Sequence, residues 1–148
     1  MNKCFFELPP EAYNGKIPFV ITDLIEHVKE MHIELLVGVF RVNGNEPIIK
    51  SIIADLNHGR IKDWSKYEDM HSISTAIKRF FGKMVLNNPI IPYEYYSTII
   101  KVMKTRDLQN EVTTLTQIIQ TINECRRNTL AYLMDFYILL LVNLRLIK

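Results

Sequence analysis

The apolar residues of this chain recur at helical spacing along most of its length, which constrains the fold more than any single motif. The clearest stripe follows Asp69 and consists of Ile73, Ala76, Ile77, Phe80, Phe81 and Met84. A spacing of three and four residues is typical of an amphipathic helix that packs one face on a core. Lys78 and Arg79 point away from this stripe on either side, so we expect both to be solvent-exposed or flanking.

Similar stripes predict further helices before and after this one. A helix follows Pro18, and the next has Asn45 as its candidate N-cap, Pro47 in its first turn and Gly59 at its end. The later stripes are Tyr95, Tyr96, Ile99, Ile100 and Met103 after Pro92; Val112, Leu115, Ile118, Ile119 and Ile122; and a last helix from about Asn128. The last one is apolar nearly all round, which predicts a central, buried helix.

The segment between the second and third helices, Arg60 to Glu68, has no such stripe and is predicted to be a loop. Trp64 and Tyr67 are its expected anchors to the core. With 148 residues, 48% hydrophobic and 23% charged, the chain has the composition of one folded domain. The fold class predicted is an all-α, single-domain helical bundle.

Composition and spacing exclude several classes of protein. A net charge of +2, with dispersed Lys and Arg residues, gives no nucleic-acid footprint. Cys4 and Cys125 form neither a metal motif nor a disulfide framework, which fits a reducing, cytoplasmic location. The four histidines lack metal-ligand spacing, so no metal site is predicted.

No transmembrane segment is expected either. The N-terminus lacks the apolar core of a signal peptide. The most apolar stretch, Leu130 to Ile147, is interrupted by Asp135, Asn143 and Arg145, which leaves too short an uncharged span for a bilayer.

The segment Gly38-Val39-Phe40-Arg41-Val42-Asn43-Gly44 is the candidate functional motif. Glycine tolerates sharp turns, so the loop is expected to turn at Gly38 and Gly44. Its apolar residues, Val39, Phe40 and Val42, are expected to fix it to a core while Arg41 projects outward. A planar, permanently charged guanidinium in such a place suits stabilisation of phosphate charge. The alternative is a short strand with Arg41 on its wet face.

The chain has no Gly-rich phosphate loop and no nucleophile beside a recognisable base. Asp69-Met70-His71 is better read as a helix cap followed by a locally packed histidine than as an acid/base pair. An enzyme with its own substrate pocket is therefore poorly supported.

Several motifs in order resemble the Rho-family GTPase-activating (RhoGAP) domain. The first is the segment 38–44, called the arginine loop below. The others are Tyr67-Glu68-Asp69-Met70-His71, Ile77-Lys78-Arg79-Phe80-Phe81, Asn88-Pro89-Ile90-Ile91-Pro92 and Arg126-Arg127-Asn128-Thr129-Leu130. The resemblance runs from about Ile17 to Leu140. It implies a lead-in at 1–16 and a RhoGAP-like domain at 17–148.

By this resemblance, Arg41 is an arginine finger that enters the active site of a Rho/Rac-type GTPase in its GTP-bound state. Lys78 supports the loop and contacts the GTPase, and Arg79, Asn43, Gly38 and Gly44 complete the expected binding and support set. The chain needs no cofactor of its own, since GTP and Mg²⁺ are bound by the partner.

Three departures from the family pattern leave alternatives open. Gly82 replaces a bracing arginine, for which Arg79 and Lys83 are out of register, and the chain from Lys78 to Pro89 is about two residues longer than in the family. The family's C-terminal asparagine helix has no counterpart, and Asn143 lies too early for that role.

A C-terminally short domain of this kind would leave the apolar face of 130–147 uncovered and prone to self-association. The alternative function is a GAP-like binding module that is catalytically weak or inactive. A plain helical scaffold, in which Arg41 is only a surface residue, is a third interpretation.

Overall fold

A computed structural model of the chain describes residues 13–14, 16–59, 61, 63–87 and 89–144. Six α-helices account for most of this part of the chain: α1 Phe19–Glu30, α2 Glu46–Asn57, α3 Met70–Asn87, α4 Tyr96–Thr105, α5 Leu108–Thr121 and α6 Glu124–Leu144. Short 3₁₀ turns lie at Ile33–Leu35 and Tyr93–Tyr95. The predicted all-α class is confirmed.

The extended part of the described residues is one short antiparallel pairing just before α1. Its strands are β1 Tyr13–Asn14 and β2 Ile17–Pro18, with Tyr13 opposite Pro18. The predicted boundary between a lead-in and the domain falls within this pairing and stays a prediction.

The core lies where α1, α2 and α3 meet the second half of α6. Its residues are apolar and almost all fully buried; they include Ile21, Leu24 and Ile25 of α1, Ile49 and Ile52 of α2, Ile73 and Ala76 of α3, and Phe136 and Leu140 of α6. The i, i+3, i+4 spacing that predicted α1, α2 and α3 therefore marks the faces that meet.

The α3 stripe behaves as predicted along the part of it that the structure describes. Ile77 and Phe80 are buried with Ile73 and Ala76, and Phe81 packs against the core from its edge. The side chain of Met84 lies outside the described residues. Since α2 packs closely on α3, the segment that joins the 3₁₀ turn at Ile33–Leu35 to α2 must pass beside the first turns of α3.

The predicted anchors of the loop after α2 are confirmed. Trp64 stacks on His27 of α1, with ring centroids 4.3 Å apart and planes 16° from parallel. Burial lowers the pKa of His27, since the charged imidazolium is poorly solvated there. Tyr67 is buried, and its hydroxyl donates to Asp55 of α2 at 2.7 Å.

The predicted apolar stripe of α4 is only partly turned inward, since Tyr95 and Ile99 are half-buried and its other residues are exposed. Val102 is the buried residue of this helix, while Tyr96 and Met103, both in the predicted stripe, are 65% and 47% exposed. In α5 the inward residue is Ile118, as predicted, followed by Ile122 just past the helix end. The two helices pack mainly on each other, so each has one fully buried residue, and their other apolar side chains are half-buried or exposed.

The last helix also departs from its prediction. It begins at Glu124 rather than near Asn128, and it is not buried all round. Its exposed apolar residues are Met134, Tyr137, Ile138, Leu141 and Val142. The uncovered face is present, whereas self-association through it stays a prediction. Within the described residues, none of the helices combines the length and hydropathy needed to cross a bilayer.

Replacing a core isoleucine of α3 should cost far more stability than the same replacement on the exposed face of α6. Ile73 is 0% exposed and Ile138 is 58% exposed. We expect Ile73→Ala to lower the free energy of unfolding by about 3 kcal/mol, because it leaves a cavity, and Ile138→Ala by about 0.5 kcal/mol or less. Urea unfolding of both variants measures the difference. Equal losses would contradict the arrangement of the core.

Candidate functional site

The arginine motif forms a tight turn between the Ile33–Leu35 turn and α2. The backbone N–H groups of Arg41 and Val42 both donate to the carbonyl oxygen of Gly38 at 2.9 Å. These bonds close the chain on itself, so residues 38–44 do not form a strand. The alternative of a short strand with Arg41 on its wet face is therefore wrong.

Two residues of the turn adopt left-handed backbone angles, Gly38 with φ of +79° and Phe40 with φ of +61°. Glycine adopts this region at little cost, as predicted for Gly38. For a bulky residue such as Phe40 it costs about 1–3 kcal/mol, so the surrounding contacts must enforce it. Phe40 and Val39 pack against the core, as predicted, whereas Val42 is 43% exposed and does not.

Arg41 lies on the outer side of this turn and is exposed. Its Nη2 atom is 3.7 Å from the point that a Cβ atom on Gly38 would occupy, so the guanidinium folds back over its own loop. Asn43 is exposed as well. Both side chains are accessible to another molecule.

Lys78 of α3 reaches the backbone of this loop. Its Nζ atom donates a hydrogen bond to the carbonyl oxygen of Phe40 at 3.0 Å. Phe40 is the strained residue and directly precedes Arg41. The lysine therefore stabilises the turn at the residue that sets the direction of the arginine.

Gly44 is required for a reason other than the predicted turn. The φ angle of Gly44 is not in the left-handed region. Instead, the backbone of Gly44 lies against the first turn of α3. A Cβ atom at this position would be 2.3 Å from the Cα and N atoms of Ser72. The glycine is therefore needed for close approach of two backbones rather than for a sharp turn.

Two buried hydroxyls of α3, which sequence reasoning missed, hold this approach in place. Thr75 Oγ1 accepts from the N–H of Gly44 at 3.2 Å, and Ser72 Oγ accepts from the N–H of Asn45 at 2.7 Å. Asn45 is at the N-cap position of α2, as predicted, but its side chain makes no capping bond. The signal in the sequence is the three-residue spacing of Ser72, Thr75 and Lys78 beside the apolar stripe.

Asp69 caps the start of α3, as predicted. Its carboxylate accepts from the N–H of His71 at 3.1 Å and from the hydroxyl of Ser72. The hydrogen bond from Ser72 and those from the backbone hold the pKa of Asp69 below its ordinary value, against a smaller opposing effect of burial. The carboxylate thus contributes to the same cluster that receives the end of the loop.

Arg79 is placed on α3 next to Lys78 but is engaged with α2. Its Nη1 atom donates to both carboxylate oxygens of Glu46, at 2.7 and 2.8 Å. This hydrogen bond lowers the pKa of Glu46 and raises that of Arg79. Arg79 therefore joins the two helices that flank the loop, and it is exposed beside Lys78.

Two further positions singled out in the sequence, Gly82 and Asn143, show no contact with the loop among the described residues. Gly82 lies on α3 with nothing within 4 Å of the point that its Cβ would take. The side chain of Lys83 lies outside the described residues. Asn143 donates to the carbonyl oxygen of Leu139 at 2.9 Å, one turn back on its own helix. Among the described residues, no group of three His, Cys, Asp or Glu side chains is arranged to hold a metal ion.

Comparison with known proteins identifies the family. The model of the RhoGAP domain family matches residues 18–140, which is most of the chain. The chain belongs to the RhoGAP domain family. The resemblance of its motifs to that family is thereby confirmed.

Curated relatives and a solved structure agree with this assignment. Over 131 residues the chain is 31% identical to Rho GTPase-activating protein 21-A of Xenopus laevis, covering 86% of this chain and 7% of that protein. Over 122 residues it is 30% identical to Rho GTPase-activating protein 12 of Mus musculus, covering 81% of this chain and 14% of that protein. The chain therefore spans a small fraction of these relatives' length.

The crystal structure of human Rho GTPase activating protein 15 resembles this RhoGAP domain with a TM-score of 0.75 at 22% identity. The match covers 86% of this chain and 60% of the human one. At this identity the likeness shows the fold alone.

Alanine at Gly44 should destabilise the domain, while alanine at Gly82 should stabilise it. A methyl group at Gly44 would overlap the backbone of Ser72, and such overpacking costs about 1–3 kcal/mol. At Gly82 nothing is crowded, and removing a glycine from a helix interior is worth roughly 0.5–1 kcal/mol. Thermal unfolding of the two variants is the measurement; a Gly44→Ala variant as stable as wild type would refute the close approach.

Protonation of Asp69 should lower the stability of the domain as the pH falls. A carboxyl group whose pKa is lower in the folded state contributes stability above its unfolded pKa, and this contribution is lost as the pH falls through the folded pKa. We expect Asp69→Asn to be less stable than wild type by about 1 kcal/mol at pH 7. This deficit should shrink between about pH 5 and pH 3. Urea unfolding across that range tests this, and a deficit that does not change with pH would contradict it.

Proposed function

We propose that this RhoGAP domain accelerates GTP hydrolysis by a Rho/Rac-type small GTPase, with Arg41 acting as an arginine finger in trans. The observation that carries the proposal is an exposed arginine on a strained turn whose backbone is held by Lys78. A held backbone with an exposed guanidinium is suited to reach into another protein's active site.

The chemistry of the guanidinium fits this role. Arginine stays protonated at any physiological pH and presents its donors in a planar fork that matches phosphate oxygens. During GTP hydrolysis a water attacks the γ-phosphorus and the bond to the β–γ bridging oxygen breaks, with negative charge spread over the phosphoryl oxygens. Arg41 would stabilise this charge, while GTP and Mg²⁺ are held by the GTPase.

The other residues of the site take supporting roles in this proposal. Lys78 holds the loop and lies exposed where a bound GTPase would contact it. Asn43 and Arg79 are exposed as well, and Gly38 and Gly44 shape the loop. The partner would be bound in its GTP state, in the cytoplasm.

Removing the guanidinium should abolish most of the rate acceleration. An arginine finger contributes about 10³–10⁵ in rate, so Arg41→Ala should slow stimulated hydrolysis by about 10³ or more. Arg41→Lys should stay strongly impaired, because an ammonium group cannot reproduce the bidentate fork. Single-turnover GTP hydrolysis with a panel of Rho-type GTPases measures both variants.

Lys104→Ala is the matched control, since Lys104 is an exposed basic residue in the last turn of α4, outside the site. This variant should stimulate GTP hydrolysis by the GTPase as strongly as wild type does. Equal rates for wild type and Arg41→Ala would refute the catalytic role of Arg41. If the wild type binds GTP-loaded GTPase yet leaves hydrolysis at its intrinsic rate, the domain is a binding module instead.

A further inference from the structure

Ser72 and Thr75 are polar residues in a helix whose other inward residues are largely apolar, and they are 0% and 1% exposed. Burying a hydroxyl without a partner costs free energy, so buried hydroxyls normally form hydrogen bonds. Here each accepts a backbone N–H from the end of the arginine loop, Asn45 at 2.7 Å and Gly44 at 3.2 Å. Both hydroxyls therefore act as acceptors for backbone N–H groups at the end of the loop.

The orientation of the Ser72 hydroxyl is set from the other side. Its proton is donated to the carboxylate of Asp69, which leaves a lone pair free for the N–H of Asn45. A hydroxyl that donates to an anion is a stronger acceptor, because hydrogen bonds in a chain polarise one another. Asp69 thus fixes which way Ser72 faces.

The hydrogen bonds between α3 and the loop follow a regular order. Ser72, Thr75 and Lys78 are spaced three residues apart, and they bind Asn45, Gly44 and Phe40 respectively. The loop therefore runs antiparallel along α3, with its end bound nearest the start of the helix. Arg41 lies between the point held by Thr75 and the point held by Lys78.

We propose that Ser72 and Thr75 are positioning residues for the arginine finger, acting through the backbone of Gly44 and Asn45. The inference rests on the proposed function. Lys78 holds the loop at Phe40, on the N-terminal side of Arg41, and the two hydroxyls hold it on the C-terminal side. Together these hydrogen bonds fix the position from which the Arg41 guanidinium reaches the phosphoryl group.

Loss of either hydroxyl should destabilise the transition state of GTP hydrolysis rather than weaken binding of the GTPase. A small misplacement of a catalytic group slows the reaction without weakening the initial contact between the two proteins. The surface offered to the GTPase is unchanged, because both hydroxyls are buried. Their removal should thus lower the maximal rate and leave the affinity nearly unaltered.

Thr75 offers a matched pair of variants. Thr75→Val keeps the shape of the side chain and removes the hydroxyl, while Thr75→Ser keeps the hydroxyl and removes the methyl group. In single-turnover GTP hydrolysis at saturating domain, we expect Thr75→Val to be about 3- to 10-fold slower than wild type and Thr75→Ser to be within about two-fold of it. The dissociation constant for GTP-loaded GTPase should change by less than about two-fold in both.

Ser72→Ala is a second, independent variant, and it should show the same slow rate with unchanged affinity. Circular dichroism and urea unfolding establish which variants are folded at the assay temperature. Only folded variants enter the rate comparison, and a folded Ser72→Ala tests the proposal even if Thr75→Val does not fold.

Combining each change with Arg41→Ala separates this inference from the proposed function. If the hydroxyls act through the finger, Thr75→Val or Ser72→Ala should not slow the Arg41→Ala variant further. If Arg41→Ala alone has no effect, the proposed function fails. If Arg41→Ala is slow, three results overturn the inference instead: a wild-type rate in the folded hydroxyl variants, equal slowing by Thr75→Ser, or a loss confined to affinity. A slowing by Thr75→Val that persists without Arg41 overturns it as well.

Discussion

The direct contact between the backbone of Gly44 and the first turn of α3 is the constraint on which the site depends. No side chain separates the two segments, so the arginine loop is drawn against the helix before α2 begins. This approach places Glu46 within reach of Arg79 and the carbonyl of Phe40 within reach of Lys78. The exposed position of Arg41 thus follows from a packing requirement three residues away.

Sequence periodicity could predict which face of a helix points inward and which points toward solvent. The α3 stripe fixed its inward face, and for the same reason Lys78 and Arg79 had to point outward. The partners of these residues could not be predicted, because they come from segments distant in sequence. Ser72 and Thr75 were missed for this reason, since a small polar residue in a helix reads as exposed until a backbone is placed against it.

Periodicity was less informative where a helix has few neighbours. In α4, apolar residues lie on more than one face, and the tertiary contacts of the helix, mainly with α5, leave Val102 as the buried one. In α6, an apolar composition predicted burial all round, yet side chains such as Tyr137 and Leu141 remain half-exposed or more. Hydropathy therefore predicts what a helix is able to bury, whereas the tertiary arrangement determines how much of it is buried.

The order of the bonds along α3 has a consequence for the length of the loop. Thr75 and Lys78 are separated by one helical segment of about 4.5 Å along the axis, and they hold Gly44 and Phe40. Residues 41–43 connect these two hydrogen-bonded positions, whose spacing is set by a rigid helix. An inserted residue would have to bulge outward, and a deletion would break one of the two hydrogen bonds to α3. Substitutions of the side chains at 41–43 are thus the changes that leave both hydrogen bonds in place.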